Sequence, residues 1–232
     1  MRYKYCDDDD YMHDTYQALS SQFANRLKFE SFYALLKDRG AKDEFLRAGS
    51  AYLFFVKNGD WYVDVERSNR LIEYFTNSFK LVALLAIIES LAEKKNIDFF
   101  FWLLGTAADR KELFPIANRP QLKNLYDEYK SEYGSTRSCK SFFANLSSST
   151  KEKLCNSITI NGKPVKSIEK FVAMLYTSRS GFAHECATSS EISNGVYIFR
   201  ENNKEIVWKL PMRLLQRSFE EGIVAHFKQY TD

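Results

Sequence analysis

The chain has 232 residues, 45% hydrophobic and 16% aromatic, with a formal net charge of +3. That is enough to bury a core without disulfide or metal staples, and the charge is too mild to announce nucleic acid by itself. Four dispersed cysteines (Cys6, Cys139, Cys155, Cys186) contain no C-x-x-C pair and argue against a zinc site, and the longest aliphatic run, Leu81–Ile88, falls well short of the roughly 20 apolar residues of a membrane helix.

Charges fill Met1–Asp10 where a secretory leader would be apolar, so a cytoplasmic protein is expected. The acidic run Asp7–Asp10 reads as a solvated, frayed terminus, not a metal site. Residues 14–39 read as one helix, with Leu19, Phe23 and Leu27 at helical spacing and Gly40 as its stop. Ala51–Val56 and Trp61–Val65 are aromatic and β-branched runs flanking Asn58-Gly59, which predicts a hairpin over 51–65. Residues 1–65 therefore form an expected N-terminal subregion of helix plus hairpin, and 66–232 a helical domain.

A long helix is expected from about Glu66 to Lys95, its stripe of Leu71, Phe75, Phe79, Val82, Ala86 and Leu91 thickened by Leu84, Leu85, Ile87 and Ile88. Phe99–Leu104, Gln121–Tyr133 and Cys139–Leu146 read as further helices, and Thr150 as the cap of a short one. Asn161-Gly162 predicts a second hairpin over 158–165. Ser167 caps a predicted helix from Ile168 to about His184. The alternation of 196–210 predicts a third hairpin, and Pro211 opens a last helix over 212–228. The fold class is mainly α, with small hairpins. Trp61, Trp102 and Trp208 are expected in the core rather than as base-stacking platforms.

The helix ending at His184 carries the suggestive chemistry. Arg179 and His184 stand four residues apart in Tyr176-Thr-Ser178-Arg179-Ser180-Gly-Phe-Ala-His184-Glu185, and the chain has only three histidines. Between Thr136 and His184 eight basic residues face only Glu152 and Glu169, a local excess of +6. Tyr176, Arg179-Ser180, Ala183 and His184 resemble the R-x(4–6)-H signature of HEPN domains, in its four-residue form. The apolar helix Asn77–Leu91, with an acidic residue at Glu89, resembles the first core helix of the Apea-like HEPN group. The hairpin and last helix are similar too, so the resemblance covers about 70–230. It implies a helical bundle that dimerises through the motif helices. It also implies ribonuclease activity without metal or cofactor, with Arg179 and His184 catalytic, often in a toxin–antitoxin or phage-defence setting with a possible antitoxin partner. Ser180 stands where active members often carry Asn, Asp or His, and Cys186 stands where members modified by a nucleotidyltransferase carry tyrosine. An inactive HEPN module that binds RNA, a nucleotide or a protein is the alternative. An unrelated helical scaffold is a further one.

The residue types suit the reaction. RNA is cut when its own 2′-hydroxyl attacks the adjacent phosphate, a step that needs proton transfers and a holder of negative charge. Unperturbed imidazole titrates at about 6.5 and serves either proton role, while a guanidinium offers fixed donors to phosphate oxygens. On an ideal helix, however, five positions separate two side chains by about 140°. One helix therefore does not aim Arg179 and His184 at one phosphate, and the chemistry predicts a homodimer in which each comes from a different subunit. Ser178, Ser180 and Glu185 are supporting candidates. Glu89 reads equally as a catalytic residue or as the structural partner of Arg179.

Overall fold

A computed structural model describes residues 4–6, 8–60, 70–92, 97–104, 118–185, 187 and 190–231. Polar side chains that satisfy orphan backbone N–H groups open many of its helices. Asp8, Asn25 and Asp38 cap α1 (Asp9–Leu19), α2 (Arg26–Leu35) and α3 (Arg39–Tyr52). α4 (Arg70–Ser90) follows. Asp98 and Asn118 cap α5 (Phe99–Leu103) and α6 (Arg119–Tyr133). After α7 (Ser135–Ala144), Ser147 caps α8 (Ser148–Asn156).

Two antiparallel hairpins then build one sheet. β1 (Ile158–Ile160) and β2 (Lys163–Pro164) turn at Asn161 and Gly162, with φ of 49° and 74°. α9 (Ile168–Glu185) intervenes, its first turn held by Ser167, whose hydroxyl accepts from the Lys170 N–H. β3 (Tyr197–Glu201) and β4 (Lys204–Trp208) turn at Asn202 and Asn203, again at positive φ. The strand order is β2-β1-β4-β3, with Ile158 opposite Trp208 and Tyr197 on Trp208's other side. α10 (Met212–Lys228) closes the chain behind Pro211. Among the described residues no helix is long and apolar enough to cross a membrane.

Several expectations need correction. The helix expected over 14–39 is broken: α1 ends at Leu19, a 3₁₀ turn spans Ser20–Gln22, and Asn25 starts α2 afresh. Leu19 is accordingly buried, while Leu27 is exposed. Gly40 starts α3 instead of stopping its predecessor. Asp8 is a cap, with Asp9 and Asp10 in the first turn where negative charge is favoured, so this part of the acidic run is not frayed. The first half of the hairpin expected over 51–65 is helical. Ala51–Val56 completes α3 and enters a π-helical turn, Leu53–Lys57, closed by the Asn58 N–H on the Leu53 carbonyl. Tyr52, Leu53 and Val56 are buried while Phe54 and Phe55 point to solvent, a helical and not an alternating pattern. Neither Asn58 nor Gly59 takes the positive φ that a two-residue hairpin turn needs. Trp61–Val65 lies outside the described residues. The long helix ends at Ser90 rather than Lys95, with 66–69 and 93–95 also outside the described residues. Phe75, Phe79 and Ala86 of the expected stripe are exposed, and Leu81, Leu84, Leu85, Ile87 and Ile88 are the buried ones. Thr150 sits in α8's first turn and donates its N–H to the cap, Ser147.

One apolar cluster runs from Ala18 in α1 through α3, α4, α7 and α9 to Phe227 in α10. Phe45 meets Phe227 at a ring-centroid distance of 5.1 Å, and Tyr52 meets Phe219 at 4.6 Å. Burying each such side chain contributes about 1.5–3 kcal/mol. Trp208 joins this cluster, whereas Trp102 packs with Leu103 and Leu125 in a smaller one. α10 approaches α7 closely at Gly222, where any Cβ would overlap the Phe142 ring. The N-terminal helices are also fastened to α10 by a buried carboxylate. Glu220, 4% exposed, accepts from the Tyr52 hydroxyl at 2.9 Å, from the Ser21 hydroxyl, and from the Lys57 ammonium at 3.0 Å. Burial, and then the adjacent Glu220, raises the Tyr52 phenol above its usual range. Glu220→Ala removes the buried acceptor these donors share, leaving Lys57 only the carbonyls of Gln17 and Ala18 and Tyr52 that of Gln216, and is expected to cost about 3 kcal/mol in urea unfolding, with Glu220→Gln losing less. A loss of under about 0.5 kcal/mol for the alanine variant would contradict this role.

Candidate functional site

α9 packs between α7 and α4, and its sequence divides its sides. Phe171, Val172 and Leu175 are buried in the core. One turn further along, Tyr176 and Arg179 face α4, and Glu89 near the end of α4 receives both. The Tyr176 hydroxyl donates to Glu89 Oε1 at 2.5 Å, and Arg179 donates to the same oxygen at 2.8 Å. The Arg179 guanidinium also lies over the Tyr176 ring, 5.4 Å from its centroid. Arg179 and Glu89 keep 26% and 25% of their side-chain surface exposed. The pair is therefore shielded enough for direction to matter, while still open to solvent.

A third group joins from α7. Cys139 Sγ lies 3.2 Å from the Tyr176 hydroxyl. Burial pushes the Cys139 thiol up to about 12, the Tyr176 hydrogen bond pulling the other way. Burial, followed by the adjoining Cys139 and Glu89, raises the Tyr176 phenol as well. Both groups stay protonated at neutral pH and act as polar pins, not nucleophiles. Cys139 was visible in the sequence only as a helix residue; 37 positions separate it from Tyr176, and no spacing rule joins such a pair.

The remaining predicted residues fall elsewhere. His184 and Glu185 are exposed in the last turn of α9, and Ser180 is exposed one turn earlier. Ser178 is half-buried and lines a cavity between α9 and the sheet. Arg179 is committed to Glu89, and no hydrogen bond joins it to His184. The helical geometry accounts for that, since His184 sits about 140° round from Arg179 and about 7.5 Å further along the axis. The structure thus unites Glu89, Tyr176 and Arg179, adds Cys139, and leaves His184 apart at an accessible helix end. Among the described residues no group of three or more His, Cys, Asp or Glu is placed to hold a metal ion. Cys186 lies outside the described residues.

This arrangement can present a fixed cation beside solvent. Glu89 takes up one N–H of a group that carries five, and pins its orientation through Tyr176. It can also present an imidazole unencumbered by burial. Within one chain the two do not converge. Compared with known proteins, the chain matches no family model, no curated protein and no solved structure.

Glu89→Ala releases Tyr176 and Arg179 together and is expected to lower stability by about 2–3 kcal/mol, as for a lost charge-assisted pair. Tyr176→Phe is expected to cost about 1 kcal/mol. Chemical denaturation measures both, and two near-neutral variants would show that the Glu89 cluster contributes nothing to holding α9 on α4.

Proposed function

We propose that the chain is a HEPN-type endoribonuclease in which Arg179 and His184 from different subunits of a homodimer act on one RNA phosphate. The observation that carries the reading is the contrast between the two residues: the guanidinium is oriented by Glu89 and Tyr176, and the imidazole is exposed one and a half turns away on the same helix. A fixed cation suits a phosphate whose charge grows in the transition state, and an accessible imidazole suits proton transfer. Their divergence on one helix supports a two-fold arrangement, because a symmetric partner brings its own α9 with the complementary residue. Gly181 lies between them in sequence, and among the described residues a Cβ there would meet only Ala187, at 3.8 Å.

In the proposed reaction one imidazole takes the proton of the 2′-hydroxyl as its oxygen attacks the adjacent phosphorus. Arg179 holds the non-bridging oxygens. The bond to the 5′-oxygen breaks, and that oxygen takes a proton from water. The products are a 2′,3′-cyclic phosphate and a 5′-hydroxyl. One acid–base group contributes typically 10²–10⁴-fold, so a modest nuclease is expected, as suits a toxin or defence effector held in check by a partner. A second reading, a module that binds RNA, a nucleotide or a protein without cleaving, draws on Glu89's hold on Arg179, which weakens its pull on a phosphate, and on Ser180 after it.

Cleavage of a labelled single-stranded RNA decides between them. His184→Ala is expected to abolish the cyclic-phosphate product while leaving the unfolding midpoint unchanged, because the side chain is exposed. Arg179→Ala and Arg179→Gln are expected to abolish it too, and EDTA to leave the wild-type rate intact. Product that survives His184→Ala would overturn the ribonuclease reading. Salt-sensitive RNA binding with no product from the wild type would favour the module.

A further inference from the structure

α4 departs from the pattern of a helix on the surface of a bundle. Such a helix turns an apolar side to the core and a charged side to water. On an ideal helix Asn77, Leu81, Leu84, Leu85 and Ile88 share one side of α4, and they are buried. Ile72, Phe75, Phe79, Val82, Ala83 and Ala86 fall within about 100° of arc on another side, along about 21 Å, and none of them is buried. Phe75 and Phe79 keep 39% and 36% of their surface exposed. No charged residue interrupts this stripe: Glu73 and Lys80 lie round the helix from it, and Glu89 borders its end, tied to Arg179.

An open apolar stripe of this kind marks a contact surface, and three features fit it to a second copy of the same chain. The stripe runs beside the half of α9 that carries the candidate site. Phe182 of α9 meets Phe79 edge-on at 4.8 Å, and Arg179 holds Glu89 at the other end. The stripe is also free of charge. A contact across a two-fold axis sets a patch against its own image, so a charge near the axis would meet its like. Finally, its large and small residues are spaced to fit one another. With the axis crossing α4 between Val82 and Ala83, Phe79 falls opposite the partner's Ala86, and the partner's Phe79 falls opposite Ala86. Alanine at the crossing lets two helices approach at the near end of the usual 8–10 Å spacing.

We propose that a second copy of this chain docks on the stripe, its α4 antiparallel to the first about a two-fold axis near Val82 and Ala83. This pairing lays the Glu89 end of each α4 beside the beginning of the partner's. Arg179 of one copy then lies level with the end of the partner's α9, where the partner's His184 stands. The surface deepens the two-subunit reading of the ribonuclease site and rests on it.

Sedimentation velocity of the full chain, run beside the RNA cleavage assay, tests the surface. Wild-type protein is expected to sediment as a dimer. Ala86→Glu sets a carboxylate against each Phe79 and is expected to raise the dimer dissociation constant at least about tenfold. Its unfolding midpoint is expected to stay unchanged, since Ala86 is exposed. Ala83→Cys, beside the axis, is expected to cross-link two copies through a short bis-maleimide above the wild-type background, and the exposed α6 variant Lys123→Cys is not. A wild-type monomer, a dimer that Ala86→Glu leaves intact, or an Ala83→Cys protein that does not cross-link overturns the proposal. If the dimer survives Ala86→Glu and still yields a product that depends on His184, this surface fails and the ribonuclease reading stands. If Ala86→Glu separates the subunits of a protein that yields no cyclic phosphate, the surface stands and the nuclease falls.

Discussion

A single carboxylate near the end of α4 sets the terms for the rest of the molecule. Glu89 is only partly exposed, and a carboxylate drawn out of water must be paired. Tyr176 and Arg179 supply that pairing and fix which side of α9 faces α4. Everything distal follows from the 3.6-residue repeat. With Arg179 on the α4 side, His184 is carried round to an exposed edge, and the row Lys170–Met174–Thr177–Gly181 is carried to the sheet. The helix therefore has two sides: one holds the ion pair with α4, and the other carries the row toward the sheet, with His184 exposed beyond it at the helix end. Cys139 extends the arrangement onto α7, so three helices share one half-buried polar node.

The surroundings keep that node in place. The apolar cluster that begins in α1 reaches α10 without interruption, and Glu220 fastens Tyr52 and Lys57 to α10. Both polar anchors obey one rule: a carboxylate inside a helical bundle is tolerated where it collects several donors.

Much of the architecture was legible because local rules sufficed. The Asn161-Gly162 and Asn202-Asn203 turns adopt positive φ between short alternating strands, and Ser167 and Pro211 open α9 and α10 where their chemistry predicts. Asn58-Gly59 looked the same and behaves differently. The run before it buries Tyr52, Leu53 and Val56 on one side, so tertiary burial overrode the turn signal and drew the segment into helix. The pairing of β1 with β4, which merges two hairpins into one sheet, was not readable, because 46 to 50 residues separate the partners, as in Ile160 with Ile206 and Ile158 with Trp208. The candidate site divides in the same way. Arg179, His184 and their angular separation follow from spacing on one helix. Glu89 with Arg179 was one of two open readings until the fold brought them together. Cys139 acquires meaning only from long-range contact.

The central claim is that the cation and the imidazole acting on one phosphate belong to different subunits, and subunit mixing tests it most directly. Arg179→Ala and His184→Ala proteins, each inactive alone, are unfolded together, refolded at equal amounts and assayed for cyclic-phosphate product. Random pairing makes half the dimers mixed, and each mixed dimer regains one of its two composite sites, so recovery of about a quarter of wild-type activity is predicted. No recovery from a mixture shown to contain mixed dimers, or a wild-type protein that remains strictly monomeric while cleaving RNA, would contradict it.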